Sequence, residues 1–311
     1  MLDINNIYFK THRKNIFIAV VLFIISFLTI TVAGYGWFLE YKFSIEEYFS
    51  FIELLKDFLS LKFFLYGIFY SIPLMVILLA HEFGHFFMCR KYDLDATPPF
   101  LIPFPSLPFF FQTFGTLGAF IKIKEPFRNR YELFDVGVWG PLGGFIFLLP
   151  TVFIGIYASY PILNYQLNSG DIILGEPLIF KIAEKIFFPD YQNLILHPVG
   201  WAAFIGCVAT SLNLIPIGQL DGGHIVYALF GRKVHFIVSR ISFFCLILLS
   251  FLSWPTPSYL FFAIIVFFLG LDHPPLYFEY NSPDYKRYIL GLVSFLVFIL
   301  TFIPIPIKII K

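Results

Sequence analysis

The sequence has 311 residues, of which 59% are hydrophobic, 21% aromatic and only 13% charged, and its mean hydropathy is +0.81. This composition indicates an integral membrane protein and excludes an ordinary soluble domain. The formal net charge at pH 7 is +1, and Lys and Arg form no dense cluster, so a nucleic acid partner is not indicated.

Apolar runs predict about seven membrane spans, and hence an all-α, polytopic helical bundle of six to eight transmembrane helices. The first run is too long for the hydrophobic part of a signal peptide, so it is interpreted as a retained span. The predicted spans are residues 15–38, 61–88, 133–157, 199–217, 234–253, 259–271 and 288–305.

Basic residues flank one side of these spans if the spans simply alternate. The positive-inside rule then places the amino terminus and the carboxyl end of the second span toward the cytoplasm. The opposite side receives an acidic loop at 40–59 and a longer loop at 161–197. We expect a multi-pass protein of a bacterial plasma membrane. The sequence leaves the oligomeric state open.

The second span carries His81, Glu82 and His85 in a His-Glu-x-x-His pattern. Residues four apart share one face of an α-helix, so both histidines can direct a ring nitrogen at one tetrahedral zinc ion. Glu82 is placed to take a proton from water as a general base. An unpaired charge in a membrane helix costs roughly 2.5 to 3.5 kcal/mol, which favours a metal site over incidental polar residues.

Between the second and third spans, prolines interrupt an apolar segment at positions 98, 99, 103, 105 and 108. This segment cannot form a regular helix, and non-helical backbone at membrane depth needs cover from protein or a wet cavity. Gly115 and Gly118 indicate a turn or bulge, and residues 121–124 alternate as a strand would. The prediction is a re-entrant, proline-rich loop with a short β-hairpin beside the active site, the alternative being a cytoplasmic connector.

Two histidines leave a catalytic zinc in need of a third protein ligand and an open position for water. Asp221 is the candidate, because it also interrupts apolar sequence at a predicted cytoplasmic boundary. Taken alone, Asp221 followed by Gly222 is also typical of a helix N-cap. Reasoning from the residues leaves both possibilities open.

The chain resembles the site-2 protease family of intramembrane zinc metalloproteases over roughly residues 61–231. The resemblance rests on His81-Glu82-x-x-His85, on the Asn-x-x-Pro-x-x-x-Leu-Asp-Gly stretch from Asn213, and on the Phe-Asp-Val-Gly stretch from Phe134. The proline-rich segment and the Leu-Asp-Gly-Gly-His sequence are similar to the chloroplast and cyanobacterial branch. Neither a PDZ domain nor a CBS pair, which other branches carry, fits in the sequence.

The resemblance implies one Zn²⁺ per chain, held by His81, His85 and Asp221, with Glu82 as the catalytic carboxylate. It also implies that Asn213 contacts the substrate or the developing oxyanion. The expected function is cleavage of transmembrane segments of membrane proteins in regulated intramembrane proteolysis, within the lipid bilayer. The hairpin residues expected to bind substrate by strand addition are Gly115, Thr116, Leu117 and Gly118.

Two alternative functions are an inactive membrane scaffold or chaperone and a zinc transporter. Retention of Glu82 between the histidines disfavours the first. The second would normally place ionisable residues along a path through several spans, whereas here they gather near one membrane face.

The expected organisation is an amino-terminal span with its loop at 1–60, a catalytic core at 61–231 and carboxy-terminal spans at 232–311.

Several single residues carry weaker expectations. Gly140 and Gly144 stand four apart and, with Gly84, favour close approach of the second and third spans. His224 is assigned a local hydrogen bond, with a contact to the metal ligands as the alternative. Cys89 is assigned to core packing rather than to the metal, and Cys207 and Cys245 are expected to be packed free thiols. The histidines expected only at the membrane interface are His197, His235 and His273.

Overall fold

A computed structural model of the protein describes residues 4–45, 61–107, 111–162, 172–191, 193–253, 256–279 and 282–309. These residues form a mainly helical structure, as predicted. The helices are α1 (Ile4–Ile45), α2 (Leu61–Lys91), α3 (Arg130–Tyr157), α4 (Leu178–Phe187), α5 (Pro198–Leu214), α6 (Asp221–Phe230), α7 (Arg232–Leu252), α8 (Leu260–Leu269) and α9 (Tyr285–Thr301).

Short antiparallel strand pairs complete the described part of the chain. The strands are β1 (Phe100–Pro103), β2 (Thr116–Phe120), β3 (Tyr160–Ile162), β4 (Ile172–Leu174), β5 (Asn193–Ile195) and β6 (Ile307–Ile309). Strand β1 pairs with β2, β3 with β5, and β4 with β6. Part of the predicted acidic loop at 40–59 and part of the predicted loop at 161–197 lie outside the described residues.

By length and composition, four helices of the described residues can cross a membrane: α1, α2, α3 and α7. This supports a multi-pass membrane protein. At the other three predicted spans the helices are shorter, with 17 residues in α5, 10 in α8 and 17 in α9. A helix of 17 residues is about 26 Å long, slightly less than the roughly 30 Å of a hydrocarbon core, so length alone does not establish the predicted count.

Helix α2 lies at the centre of the largest apolar core. Tyr70, Leu74 and Ile77 of α2 pack with Ile30 of α1 and Cys207 of α5. Further residues of α3 and α4 extend this cluster. The middle of α2, just before the histidines, is therefore held on several sides by neighbouring helices.

The three cysteines are free thiols, as expected, but they differ in environment. Cys89 is fully buried against Leu94, Ala96 and Val136, so the expectation of core packing is confirmed. Cys207 is also buried. Cys245 was expected to be packed, and that expectation is wrong: it lies on α7, a helix with few buried residues, and is exposed.

Candidate metal centre

The two motif histidines lie on one face of α2, one turn apart, as their spacing predicts. Their Nε2 atoms are 3.1 Å from each other. Only 6% of His81 and 7% of His85 is exposed, so neither ring is free to rotate into solvent. The helix continues past the motif to Lys91, and Pro73 lies two turns before it without ending it. Helical geometry alone thus brings together two nitrogen atoms that can bind a metal.

Helix α3 approaches this face of α2 through glycines. A methyl group on Gly84 would overlap the backbone carbonyl of Trp139, and one on Gly140 would overlap the ring of His85. At Gly144 it would lie 3.1 Å from Cβ of His81. The predicted close approach of the two helices is therefore confirmed. The absence of side chains at Gly140 and Gly144 of α3 leaves room for the histidine rings.

Helix α3 also fixes the orientation of His85. Its Nδ1 atom donates a hydrogen bond to the carbonyl oxygen of Val136, at 2.7 Å. This bond holds the proton on Nδ1 and leaves the lone pair of Nε2 free for a metal ion. An acceptor of this kind is a backbone atom, so no side-chain pattern in the sequence could have indicated it.

The adjacent residue Asp135 ties α3 to two other elements. Its carboxylate accepts two hydrogen bonds of 2.8 Å from the guanidinium of Arg287 on α9 and one of 2.5 Å from the hydroxyl of Tyr92. The pKa of Tyr92 is raised to about 12, mainly by burial and to a smaller extent by the hydrogen bond to Asp135. The phenol therefore stays a donor at neutral pH. This buried network holds the backbone at Val136 in place.

Asp221 completes the cluster. Its carboxylate oxygens lie 3.1 Å from Nε2 of His81 and 3.4 Å from Nε2 of His85. Leu220, not Asp221, occupies the N-cap position of α6, and no side chain caps the helix there. The alternative of Asp221 as an N-cap is therefore wrong. Asp221 is the first residue inside the helix, and its carboxylate points at the histidines.

The turn before α6 places Asp221 at this position. Helix α5 ends at Leu214, just before Pro216, which cannot donate a helical hydrogen bond. Gly218 follows with a φ of +53°, a backbone conformation that suits glycine. A methyl group on Gly222 would overlap the carbonyl of Leu214. The chain thus turns back tightly enough for α6 to begin directly beside α2.

The three side chains fit a zinc ion. A tetrahedral zinc with bonds of about 2.0 to 2.1 Å separates its ligand atoms by roughly 3.3 Å. The distances of 3.1 to 3.4 Å between the ring nitrogens and the carboxylate agree with that separation. Within the part of the chain that the structure describes, His81, His85 and Asp221 form the one cluster of this kind.

Two further predicted residues lie at the cluster. Glu82 is 6% exposed, and the backbone amide of Ile121 faces its carboxylate. Nδ2 of Asn213, near the end of α5, lies 3.4 Å from Nε2 of His81. The structure therefore brings together all five residues for which the sequence predicted a role in chemistry: His81, Glu82, His85, Asn213 and Asp221.

The predicted hairpin is present, but its strands differ from the prediction. The second strand is Thr116–Phe120, not residues 121–124, and its partner Phe100–Pro103 belongs to the proline-rich segment itself. The register shifts between Leu101 and Pro103, where Gly118 has a φ of +107°. The predicted bulge is therefore confirmed, while residues 121–124 only prolong the pairing through an isolated bridge at Ile123.

The four hairpin residues predicted to bind substrate differ in position. Gly115 and Thr116 are buried: Gly115 accepts a hydrogen bond of 2.7 Å from Thr29 of α1, and Thr116 donates one of 2.8 Å to Ile102. Leu117 is 64% exposed, and a Cβ atom on the half-buried Gly118 would have open space around it. The first two residues anchor the hairpin, and the last two are accessible.

A group of histidines next to the centre was not predicted. Nε2 of His273 lies 3.0 Å from Nδ1 of His224, and Nδ1 of His273 donates to the carbonyl of Pro274. Both rings line a cavity of about 480 Å³ that also borders residues 120–127 and Gln219. His273 is therefore not an interface residue only, and the hydrogen bond of His224 is long-range rather than local.

The remaining two histidines also make specific bonds. His235 is buried, and its Nε2 donates to the carbonyl of Gly218 at 2.9 Å, which holds the turn before Asp221. Nδ1 of His197 accepts from the backbone of Val199 and caps α5. Neither is an interface residue only. No spacing in the sequence links His235 to Gly218, because the contact joins two elements 17 residues apart.

The fold and the site together define a multi-pass membrane protein with a buried His, His and Asp cluster suited to a metal ion. The chain belongs to peptidase family M50, the site-2 protease family, whose model matches residues 69–249. The resemblance stated from the motifs is therefore confirmed at the level of the family, which is one of peptidases.

Similar proteins come from plants. Probable zinc metalloprotease EGY2, chloroplastic, of Arabidopsis thaliana is 26% identical over 269 residues, which cover 82% of this chain and 43% of the relative. Probable zinc metalloprotease EGY3, chloroplastic, of Oryza sativa subsp. indica is 25% identical over 307 residues, which cover 92% of this chain and 47% of the relative. The chain thus spans less than half the length of these curated relatives.

Proposed function

We propose that this protein is a zinc-dependent intramembrane endopeptidase that cleaves transmembrane segments of other membrane proteins, in regulated intramembrane proteolysis. The observation that carries the proposal is the convergence of His81, His85 and Asp221 within 3.4 Å, beside Glu82, in helices of a membrane protein. Ionisable side chains cost free energy inside a bilayer, so those found there mark functional sites.

In this proposal, His81, His85 and Asp221 hold zinc. A zinc ion bound there would supply Lewis acidity, which would polarise the scissile carbonyl and lower the pKa of water toward about 7. The chain contributes the rigid positions of its three ligands. His85 is oriented by Val136, and Asp221 is set by the turn at Gly218.

Glu82 is the catalytic carboxylate. It is adjacent in sequence to His81 and shielded from solvent, so its carboxylate can take the proton of the attacking water and pass it to the leaving amine. The side-chain amide of Asn213 lies beside the ring of His81 and offers an N–H donor. We assign Asn213 to the substrate carbonyl, where negative charge develops during attack.

The substrate binds, in this proposal, as an extended strand on the free edge of the hairpin. Within the described residues β2 pairs with β1 alone. The carbonyl of Lys122 and the amide of Lys124 bond to the segment at 95–97, so the backbone groups of Ile121 and Ile123 face the other way. The amide of Ile121 faces Glu82, so a strand added at this edge passes the catalytic carboxylate.

A helical substrate must unwind before it can pair in this way, because its backbone groups bond to one another inside the helix. Main-chain pairing makes few demands on sequence, so we expect substrates with residues that weaken helices. Leu117 and Gly118 are the accessible hairpin residues for side-chain contact, and Gly115 and Thr116 support them.

We also propose that the centre lies near the cytoplasmic face of a membrane crossed by six to eight helices, as in a bacterial plasma membrane. Basic residues at the ends of different helices meet at this level: Arg128 bonds to the carbonyl of Tyr92, Arg130 to that of Ala228, and Arg287 to Asp135. Their clustering is consistent with the charge bias of cytoplasmic loops.

The test is Glu82→Gln in the full-length protein, reconstituted with a model transmembrane substrate. We expect zinc content to stay at one ion per chain while cleavage falls roughly 10²- to 10⁴-fold, the usual contribution of a general base. Unchanged cleavage would exclude the assigned role of Glu82. Flux of zinc into vesicles without any cleavage would instead favour a transporter, and substrate binding without cleavage by the unaltered protein would favour a scaffold.

A further inference from the structure

An apolar groove runs along the side of the molecule formed by α6, α7 and α9. Its volume is about 660 Å³. The apolar residues of its wall include Ile225 and Leu229 of α6, Leu246 and Leu249 of α7, and Leu292 and Phe295 of α9. Cavities with almost only hydrocarbon on their walls bind apolar ligands.

The groove lies behind the metal centre, with α6 between them. Gly222, Ile225 and Leu229 of α6 line the groove. Asp221 faces the motif histidines instead, and Cβ of His224 lies 2.7 Å from where a methyl group on Gly137 would stand. These two sets of residues occupy different faces of one helix. A substrate helix in the groove would have α6 between its backbone and Glu82, so the groove does not fit the substrate.

The length of the groove suits one acyl chain. Along α9 the lining extends from Tyr288 to Phe302, the C-cap of the helix, which is fifteen residues spanning about 21 Å. One leaflet of a bilayer contributes roughly half of a hydrocarbon core that is about 30 Å thick. The groove therefore accommodates a lipid chain that enters from one membrane surface.

Basic residues flank, in the chain, the aromatic residues at one end of the groove. The rings of Phe230 and Tyr288 lie 6.3 Å apart at this end. Arg232 and Lys233 follow Phe230 in the chain, and Lys286 precedes Tyr288. All three cations are exposed, and among the described residues no carboxylate lies within ion-pair distance of them. Unpaired Lys and Arg at the membrane surface attract anionic lipids.

We propose that the groove binds one acyl chain of an anionic phospholipid from the bilayer, whose phosphate contacts Arg232, Lys233 and Lys286. The site combines an apolar wall of lipid length with exposed basic residues two or three positions from the lining residues at one end, and it is separate from the metal centre. It goes beyond the proposed peptidase function and does not depend on it. A bound lipid packs against Ile225 and Leu229, so it supports α6 from behind Asp221.

Cys245 provides a direct reporter, because it lines the groove and is exposed, whereas Cys89 and Cys207 are buried. The experiment measures the rate at which N-ethylmaleimide alkylates Cys245 in the full-length, detergent-solubilised protein. Phosphatidylglycerol or phosphatidylcholine with identical acyl chains is titrated into the micelles. Mass spectrometry of the intact protein counts the alkyl groups and the bound lipids.

We expect phosphatidylglycerol to protect Cys245 saturably with one lipid bound per chain, and phosphatidylcholine to need at least tenfold more lipid. The combined variant R232Q/K233Q/K286Q should lose roughly 100-fold in apparent affinity, given about a fivefold contribution from each cation. The control is K181Q/K185Q on α4, which removes two lysines that do not line the groove and should leave protection unchanged.

Three outcomes would overturn the proposal. These are equal protection by both lipids, protection by phosphatidylglycerol that survives the R232Q/K233Q/K286Q substitutions, and protection by a transmembrane substrate peptide in place of lipid. Each outcome can be told from a failure of the peptidase proposal, because none of the readouts involves zinc or cleavage. A fold control is the melting temperature of each variant, which should match that of the unaltered protein.

Discussion

Helix α6 has two sides that face different surroundings. On one side Asp221 meets two buried histidines, and α3 is packed so closely that a methyl group on Gly140 would overlap His85. On the other side Ile225 and Leu229 line an open apolar groove. The ten residues of α6 thus contribute to both a polar centre and an apolar groove. The elements packed against each side determine which of the two that side forms.

This difference indicates which side of α6 tolerates substitutions. The polar side depends on atoms held to within a few tenths of an ångström, because ligand geometry and hydrogen bonds fix each position. The groove side depends on hydrophobic contact, which is not directional. We therefore expect substitutions on the two sides of α6 and of its neighbours to differ sharply in effect, and the following variants test that contrast.

The largest effect is expected for Asp221→Ala. Loss of one of three protein ligands should abolish both zinc binding and cleavage, because the remaining two histidines cannot complete the site. Zinc content by atomic emission and cleavage of a model substrate measure the result. Val226→Ala, on the groove side of the same helix, is the matched control and should retain both. Full zinc content in the Asp221 variant would contradict its role as a ligand.

The next effect is expected for Gly140→Ala. The added methyl group would overlap Nε2 of His85, so the ring must move away from the position that a metal ion requires. We expect zinc affinity to fall roughly 10- to 100-fold, as for other changes in the surroundings of metal ligands. Gly144→Ala adds the same group 3.1 Å from Cβ of His81 and should cost less. Equal zinc affinities in titrations of both variants would refute close packing at His85.

A smaller effect is expected for Ile121→Pro, which removes an amide from the free edge of the hairpin. Turnover should fall about tenfold, the equivalent of roughly 1.4 kcal/mol, because an edge hydrogen bond to the substrate is lost while the zinc ligands are untouched. Ile121→Val retains the amide and serves as the control. Since the amide of Ile121 also faces Glu82, Ile123→Pro is the second variant. Normal turnover in both proline variants would exclude pairing at this edge.

The smallest effect is expected for Leu292→Ala in the groove. The side chain is 60% exposed, so its truncation should change the free energy of unfolding in detergent by no more than about 0.5 kcal/mol. Zinc content and cleavage in detergent should equal those of the unaltered protein. A loss of zinc in this variant would show that the two sides of α6 are coupled and would remove the contrast.

The histidines and Glu82 were predictable because a helix has a fixed period. Four residues make about one turn, so the spacing of His81 and His85 is enough to imply that they share a face. Asp221 was different, since the same residue also suits a helix N-cap. The distinction required the position of α6 relative to α2, which depends on the turn at Gly218 and on Gly222 packing against Leu214.

The hairpin shows a limit of reading strands by alternation. Residues 121–124 alternate in polarity, yet the strand lies at Thr116–Phe120, where Thr116 and Ile102 bond through a side chain. Its partner β1 lies in the proline-rich segment. Proline is tolerated there because β1 is an edge strand and Pro103 is its last residue. The pairing joins distant segments, so the local sequence pattern does not indicate it.

The division of the chain at 1–60, 61–231 and 232–311 stays a prediction.

The contacts of His85 with Val136 and of His224 with His273 could not be predicted, because each joins distant elements. In the first, the acceptor is a backbone carbonyl. In the second, His273 stands alone in its loop and belongs to no motif. Tertiary packing creates both contacts, so a single sequence carries no signal for them.

The glycines of the α2–α3 contact have a consequence for the folding of these helices. Glycine lowers intrinsic helix stability by roughly 1 kcal/mol relative to alanine, and Gly84, Gly140, Gly143 and Gly144 all lie within helices. Each helix taken alone is therefore weaker than its apolar composition suggests. We infer that these segments reach full helical order only when they dock against each other, so that assembly of the site and completion of the helices are a single event.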